Sequence, residues 1–163
     1  MTTEADDYPR GQKRTWYNQA IALADASPEQ LIPEIANLLP WLKDGNWPGA
    51  GIVGELLCKL GPPVVPHVKR LLREDDDSQW KYWLILTFAC SWPRSLVNEI
   101  SEELMCLARE VDGEGVDRVA LKALLINNLI DEPTATKLID EKKLSYPSED
   151  IEELKELLAS MGK

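Results

Sequence analysis

Cysteine, histidine and phenylalanine are scarce in this 163-residue sequence, which has three Cys, one His and one Phe. Cys58, Cys90 and Cys106 are odd in number and lie far apart within apolar stripes. Such a pattern is typical of buried free thiols in a reducing cytoplasm and does not suit a disulfide framework. Because no C-x-x-C or C-x-x-H pair occurs, we expect no zinc site.

The sequence also lacks the short motifs that carry common enzymatic chemistry. It has no G-x-S-x-G nucleophile motif and no glycine loop that could cradle phosphates. The acidic run at residues 74–77 lacks the glycine and the closing Glu of a calcium-binding loop. His67 has no partner that the sequence identifies, so we predict a solvent-facing side chain rather than a general base. We therefore expect no enzymatic activity, no cofactor and no metal ion.

Positive charge is in deficit, since 18 basic residues stand against 28 acidic ones and the formal net charge is -10. Lys and Arg side chains that neutralise phosphates supply most of the affinity for nucleic acid. An acidic chain without a long basic run is poorly suited to that task, so we expect no nucleic-acid partner. The acidity serves solubility, as in many cytosolic proteins, or it attracts a basic partner protein.

A long hydrophobic run is missing as well. The most apolar stretch, residues 80–92, is WKYWLILTFACSW and carries three of the six Trp. A membrane-spanning helix needs about 20 apolar residues, so we expect no membrane span. The stretch is apolar nearly all round, which predicts a central core helix covered on several sides, with Ser78 as its cap. The N-terminus resembles no secretion leader, and we expect a cytoplasmic protein.

Helical spacing of apolar residues dominates the rest of the chain, and no long stretch alternates with period two. The pattern predicts an all-α protein of about eight or nine helices with short connections. We expect a flexible segment at residues 1–9, followed by a single helical repeat domain at residues 10–163. Pro40 predicts a kink or an early stop in the helix that contains it.

Local signals mark several helix boundaries. Ser27 and Gln30 have the spacing of a capping box, so a helix is predicted to begin after Ser27. Three glycines, Gly49, Gly51 and Gly54, occur near the start of another predicted helix and weaken its intrinsic propensity. We interpret them as positions where another part of the backbone packs very close.

An internal repeat organises the first half of the chain. Residues 31–47 align with residues 64–80 at a constant offset, and the matched pairs are Pro33 with Pro66, Asp44 with Asp77 and Trp47 with Trp80. In this alignment the Asp serves the start of a second helix and the Trp packs between neighbouring hairpins, which stack to bury their apolar faces. The pattern predicts an α-α superhelix of HEAT- or armadillo-like hairpins. Tetratricopeptide-like and ankyrin-like units are alternatives, but their signature residues are missing.

Two elements of this region are specific enough to indicate a family. Residues 41–48, W-L-K-D-G-N-W-P, and residues 80–85, W-K-Y-W-L-I, resemble a bacterial family that is catalogued only as a domain of unknown function. The resemblance covers about residues 30–120 and implies a HEAT-like helical domain of bacterial origin. It transfers no reaction and no catalytic residue. Small helical families of this kind sometimes look like immunity proteins of bacterial toxin systems, which is an association by fold.

The candidate binding surface lies where the two aligned turns meet the helices that follow them. It comprises Asp44, Asn46, Trp47, Asp76, Asp77, Trp80, Lys81 and Tyr82. Large aromatic side chains anchor many interfaces, although they are more often buried in a core. We predict a non-enzymatic module that binds another protein, which is basic if the chain acts as an immunity-type protein. The alternatives are a hydrolase or lyase that uses Asp44, Asp77 and His67, and a purely structural scaffold. The oligomeric state stays open.

Overall fold

A computed structural model describes residues 13–111 and 114–161. Every regular element in these two ranges is helical and none is a strand, which confirms the all-α prediction. The predicted flexible segment, residues 1–9, lies outside the described residues. The chain divides into two compact units, Met1–Ser91 and Trp92–Lys163. A single repeat domain over residues 10–163 and the HEAT-like superhelix both stay predictions.

The described part of the first unit, residues 13–91, contains six α-helices, several of them short. They are α1 (Lys13–Ala24), α2 (Pro28–Leu31), α3 (Ile35–Leu38), α4 (Ala50–Leu60), α5 (Val65–Glu74) and α6 (Ser78–Leu84). Three 3₁₀ segments lie between them, at Ile32–Glu34, Leu39–Lys43 and Pro62–Val64. Each of these segments contains a proline, which removes a backbone donor and disfavours a continuous α-helix. Helices that the sequence predicts as continuous are therefore broken into shorter pieces, and Pro40 acts as predicted.

The capping box at the start of α2 is confirmed. The backbone N–H of Ser27 donates to Gln30 Oε1 at 2.9 Å, and the backbone N–H of Gln30 donates to Ser27 Oγ at 3.3 Å. Pro28 occupies the first turn of this helix, where its missing N–H costs nothing. The reciprocal bonds fix the direction in which the chain leaves α1.

The predicted core helix is largely confirmed. Helix α6 continues into a π-helical segment, Ile85–Ala89, and Trp80, Leu84 and Phe88 are buried along it. Its N-cap is Asp77, whose Oδ1 accepts from the backbone N–H of Trp80 at 3.0 Å, so Ser78 is not the cap. The helical geometry stops at Ala89, short of the predicted end. The segment Leu39–Lys43 packs against α6, and helix α4 packs against the π-helical segment that follows it.

The second unit consists of α7 (Arg94–Asn98), α8 (Ser101–Arg109), α9 (Val116–Ile126), α10 (Glu132–Lys142) and α11 (Ser148–Ser160). Helix α9 is its centre, because α8, α10 and α11 all pack against it. Two apolar faces of α9 are buried, at Val119, Ala120, Leu121, Ala123, Leu124 and Leu125. A helix that is apolar nearly all round needs partners on several sides, and α9 has them.

The two aligned segments of the predicted repeat differ in local structure. Trp80 lies inside helix α6, whereas Trp47 lies in the turn that precedes α4. Helix α4 begins after Gly49, which has a left-handed backbone and offers no side-chain cap, so Asp44 does not serve its start. Asp44 instead accepts from the backbone N–H of Asn46. The sequence equivalence of the two Asp–Trp pairs therefore does not extend to their backbone conformation.

Two further expectations concern cysteine and membranes. None of the three thiols forms a disulfide, as predicted, but Cys58 and Cys90 are half-buried and Cys106 is exposed, so full burial was wrong. Burial, with a smaller contribution from the Glu55 carboxylate, raises the pKa of Cys58 above its usual value.

Among the helices of residues 13–111 and 114–161, none combines the length and the apolar character that crossing a bilayer requires.

Candidate functional site

The structure brings the two predicted binding segments into contact. The turn at residues 44–47 lies beside α6, where the Lys43 ammonium sits 4.9 Å from the centroid of the Trp80 ring. The indole N–H of Trp80 donates to the carbonyl oxygen of Leu39 at 3.1 Å. Gly45 packs directly against the ring of Trp83. Trp83 thus supports the turn at Gly45, and Trp80 supports the preceding segment at Leu39 and Lys43. We call these two rings the aromatic support.

Both of these contacting segments carry acidic side chains, and several are held by backbone donors. The Oδ1 atom of Asp44 accepts from the N–H of Asn46 at 2.9 Å, and that of Asp75 accepts from the N–H of Asp77 at 2.8 Å. Asp77 in turn caps α6. Asn46, Asp76 and Asp77 are exposed, while Asp44 and Asp75 are half-buried. We call Asp44, Asp75, Asp76 and Asp77 the acidic edge; Asp75 is the member that sequence reasoning did not include.

The aromatic and basic members of the predicted site differ in accessibility. Trp80 is only 7% exposed, so it acts as a buried support. Trp47, Lys81 and Tyr82 are half-buried, and Tyr82 makes an edge-to-face contact with Trp83 at a centroid distance of 5.5 Å. A partner that approaches the acidic edge would therefore meet parts of these three side chains, while Trp80 is buried against the segment Leu39–Lys43.

The alternative catalytic set is not assembled by hydrogen bonds. His67 lies on α5 and is half-buried rather than solvent-facing, and its Nδ1 is buried without a hydrogen-bond partner. Burial, followed by the nearby Arg70 charge, lowers the pKa of His67. In the part of the chain that the structure describes, no hydrogen bond joins His67 to Asp44 or Asp77, and no group of His, Cys, Asp and Glu could hold a metal ion.

A second polar cluster, in the unit Trp92–Lys163, was missed by sequence reasoning. The Nζ atom of Lys142 donates to Asp117 Oδ2 and to the carbonyl oxygen of Ala108, both at 2.7 Å. The hydroxyl of Tyr146 donates to the other oxygen of Asp117. Asp117 is 0% exposed and Lys142 is 1% exposed. Full burial leaves neither charge open to a ligand, so this buried ion pair ties α10 to α8 and α9.

A sequence signal for the buried pair exists in retrospect. Lys142 follows the buried Leu138 and Ile139 by four and three residues, which places it on the apolar stripe of α10. Asp117 likewise lies in the first turn of α9, a helix whose other faces are apolar. A charge of each sign at two core-facing positions is the pattern that a buried ion pair leaves.

An open groove marks the end of α1 in the unit Met1–Ser91. It has a volume of about 420 Å³ and is lined by Ala22, Asp25, Ala26, Gln30, Pro33 and Glu34. The volume lies within the range of small-ligand sites, about 300–1,000 Å³. No residue of the predicted binding surface lines this groove.

Replacing Gly45 by Ala is expected to lower the free energy of unfolding by about 1–3 kcal/mol. A Cβ at this position would lie closer than 3.0 Å to three atoms of the Trp83 ring. The side chain of Trp83 or the turn must therefore move, which disturbs the packing beneath the acidic edge. Urea unfolding followed by circular dichroism measures the change.

Gly51→Ala is the matched control for this substitution. Gly51 is exposed within α4, and a Cβ there meets nothing within 4 Å. Because glycine weakens a helix interior, this variant is expected to gain about 0.5–1 kcal/mol. If Gly45→Ala is as stable as the parent protein, the turn does not rest on Trp83.

Comparison with known proteins gives one match. The model of a family described as Domain of unknown function (DUF5071) matches residues 15–123, which is more than half of the chain. The match includes the turn at residues 44–47, α6 and Asp117, and it ends before Lys142 and Tyr146. No curated protein and no solved structure matches the chain.

Proposed function

The chain belongs to the DUF5071 family, and we propose that it is a non-enzymatic module that binds a basic protein through the acidic edge. The observation that carries the proposal is the contact between the turn at residues 44–47 and α6. Through this contact, two segments that are distant in sequence present carboxylates on one packed support. The proposal places the protein in the reducing cytoplasm of a bacterium and gives it the task of neutralising its partner, as an immunity-type protein does.

Preorganisation of the carboxylates supports binding over simple solubility. Three of the four acids of the acidic edge are held by backbone hydrogen bonds, at Asp44, Asp75 and Asp77. Each accepts at one oxygen of its carboxylate and leaves the second oxygen available to a cation. Holding side chains in their bound geometry reduces the entropy that association costs. Acids that serve only solubility need no such order.

The overall charge favours a basic partner. A net charge of -10 steers a positively charged protein toward the chain and raises the rate of association. The effect depends on ionic strength, because charges farther apart than about 10 Å are screened at 0.1 M salt. Salt dependence is therefore the first property by which charge-led binding can be recognised.

The test uses the full chain as bait in an extract of its native cell and then measures the affinity of the purified captured protein. Neutralising the edge with Asp44→Asn, Asp75→Asn, Asp76→Asn and Asp77→Asn is expected to weaken binding at least about tenfold. Asn retains the acceptor oxygen that Asp44, Asp75 and Asp77 use, so the turns and the cap persist. Raising the salt from about 0.05 to 0.5 M should weaken the parent complex similarly.

A matched control removes the same amount of charge elsewhere. Four exposed acids, Glu99, Glu102, Glu141 and Glu156, are changed to Gln in a second variant. The control should retain most of the affinity, since the local field at the interface matters more than distant charge. Binding that is indifferent to salt, or that falls equally in both variants, would remove the acidic edge as the binding surface.

A further inference from the structure

The groove at the end of α1 is lined by two acidic residues and no basic one. Helix α1 ends at Ala24 without a basic residue in its last turn, so the partial negative charge of its carbonyl end is not neutralised there. Asp25 and Glu34 add two carboxylates to the same groove. The lining contains no Lys or Arg. A cation is therefore the ligand that this groove favours electrostatically.

Both carboxylates have oxygen atoms left for a ligand. Among the residues that the structure describes, Asp25 forms no side-chain hydrogen bond and neither acid forms an ion pair. One oxygen of Glu34, Oε2, accepts from Asn37 Nδ2 at 3.1 Å, which orients the carboxylate and leaves Oε1 open. The side chain of Gln30 accepts from the Ser27 backbone and forms part of the wall.

The rest of the lining is apolar, which restricts the kind of cation that fits. Ala22, Ala26 and Pro33 provide small apolar surfaces, and the groove measures about 420 Å³. A metal ion or ammonium ion would not use these surfaces, whereas the methylene stem of a long side chain would. Two carboxylates suit a planar guanidinium better than a compact ammonium, because a guanidinium donates several parallel hydrogen bonds in a fixed fork.

An exposed apolar pair lies on α1, on the N-terminal side of the groove. Tyr17 is 49% exposed and Ile21 is 44% exposed, and together with Asp25 they follow at intervals of four residues. Residues at this spacing share one side of a helix. A segment that places a cation at Asp25 would thus carry its neighbouring apolar side chain over Ile21 and Tyr17.

We propose that this groove binds the arginine side chain of an extended basic segment, whose apolar residue two positions earlier packs on Tyr17 and Ile21. Four residues of an α-helix advance about 6 Å and two residues of an extended strand advance about 6.6 Å, so the two spacings agree. The inference rests on the proposed function in requiring a basic protein partner. It adds a contact that specifies arginine and that uses none of the residues of the acidic edge.

The test is a nuclear magnetic resonance titration of the full chain with the capped tetrapeptide acetyl-Ser-Leu-Ser-Arg-amide. We expect a dissociation constant on the order of 1 mM and shifts of backbone resonances within residues 17–37. Replacing Arg by citrulline, which keeps the shape and removes the charge, should weaken binding about tenfold or more. Lysine in place of Arg should bind more weakly than Arg and more tightly than citrulline.

Two variants of the chain assign the effect to the groove. Asp25→Asn combined with Glu34→Gln should abolish the arginine-specific shifts, while Glu99→Gln combined with Glu102→Gln, at two exposed acids outside both proposed surfaces, should leave them unchanged. Equal shifts from the citrulline peptide, shifts that centre on other residues, or no shifts at all would overturn the proposal. If the partner protein still binds through the acidic edge in that case, the proposed function stands and only the groove is removed.

Discussion

Lys142→Met is expected to lower the free energy of unfolding by about 3–5 kcal/mol. Methionine has a similar length and fits an apolar site, so packing changes little. The loss comes from Asp117, which is 0% exposed and would be left buried without its cation. Tyr146 would still donate to one oxygen of that carboxylate, but a hydrogen bond does not neutralise the charge. The carbonyl oxygen of Ala108 would also lose its donor.

The measurement is urea unfolding at pH 7, followed by circular dichroism, with Lys143→Met as the matched control. Lys143 is the next residue along the chain, its side chain is 46% exposed, and it pairs with Asp140 three residues away. Such exposed pairs contribute little, and the control should change stability by less than about 0.5 kcal/mol. If both substitutions cost the same, the buried pair does not hold α10 in place.

A double substitution distinguishes the cost of leaving one buried charge unpaired from the loss of the contact between the two side chains. Asp117→Leu combined with Lys142→Met removes both charges, and the double variant should be more stable than Lys142→Met alone by about 2 kcal/mol or more. Such recovery is expected because the penalty arises from the unpaired charge and not from a lost contact. Failure of the double variant to regain stability would show that Tyr146 and Ala108 depend on the pair for their positions.

Much of the helical structure follows from local signals in the sequence. The capping box of Ser27 and Gln30 forms with both bonds in place, because it depends only on residues within one turn. The apolar all-round pattern of residues 80–92 correctly indicates a covered helix, since burial follows directly from hydrophobic content. These predictions succeed where the relevant physics is short in range.

The glycines near the start of α4 show where local reasoning stops. One explanation, close packing of another part of the backbone, was predicted for all three. At Gly54 the close neighbours are side chains instead, since a Cβ would meet Thr87 Cγ2 at 3.1 Å and Leu42 Cδ2 at 3.3 Å. Gly51 has open space around it, and Gly49 has a φ of 88°, which favours glycine for its backbone alone. The sequence shows that each residue is a glycine. It does not show whether close packing or backbone conformation requires the glycine.

The buried pair was missed for a similar reason. Lys and Asp are counted as surface residues unless tertiary partners are known, and their partners lie 25 residues apart in the chain. The two segments that carry the candidate binding residues do meet, at Gly45 and Trp83, although Trp80 is buried; the binding surface itself stays a prediction. The buried pair and the contact between the two segments both depend on residues that are distant in sequence. The spacing of residues along one helix carries no information about such contacts.

Trp80→Ala is expected to cost about 3–5 kcal/mol of unfolding free energy, because it removes a large buried ring and leaves the Leu39 carbonyl oxygen without the indole donor. Trp47→Ala should cost clearly less, about 2 kcal/mol or below, since Trp47 is half-buried in a turn. The same urea unfolding experiment measures both variants.

The comparison also decides how far the predicted repeat extends. An energetic equivalence of the two aligned hairpins would give Trp47 and Trp80 equal costs, because each Trp would fill the same position between hairpins. The structure leads us to expect a difference of about twofold or more, since Trp80 is anchored within α6 and Trp47 is not within a helix. Equal losses would mean that the two residues play the same stabilising part despite their different backbones, and the HEAT-like prediction would then gain direct support.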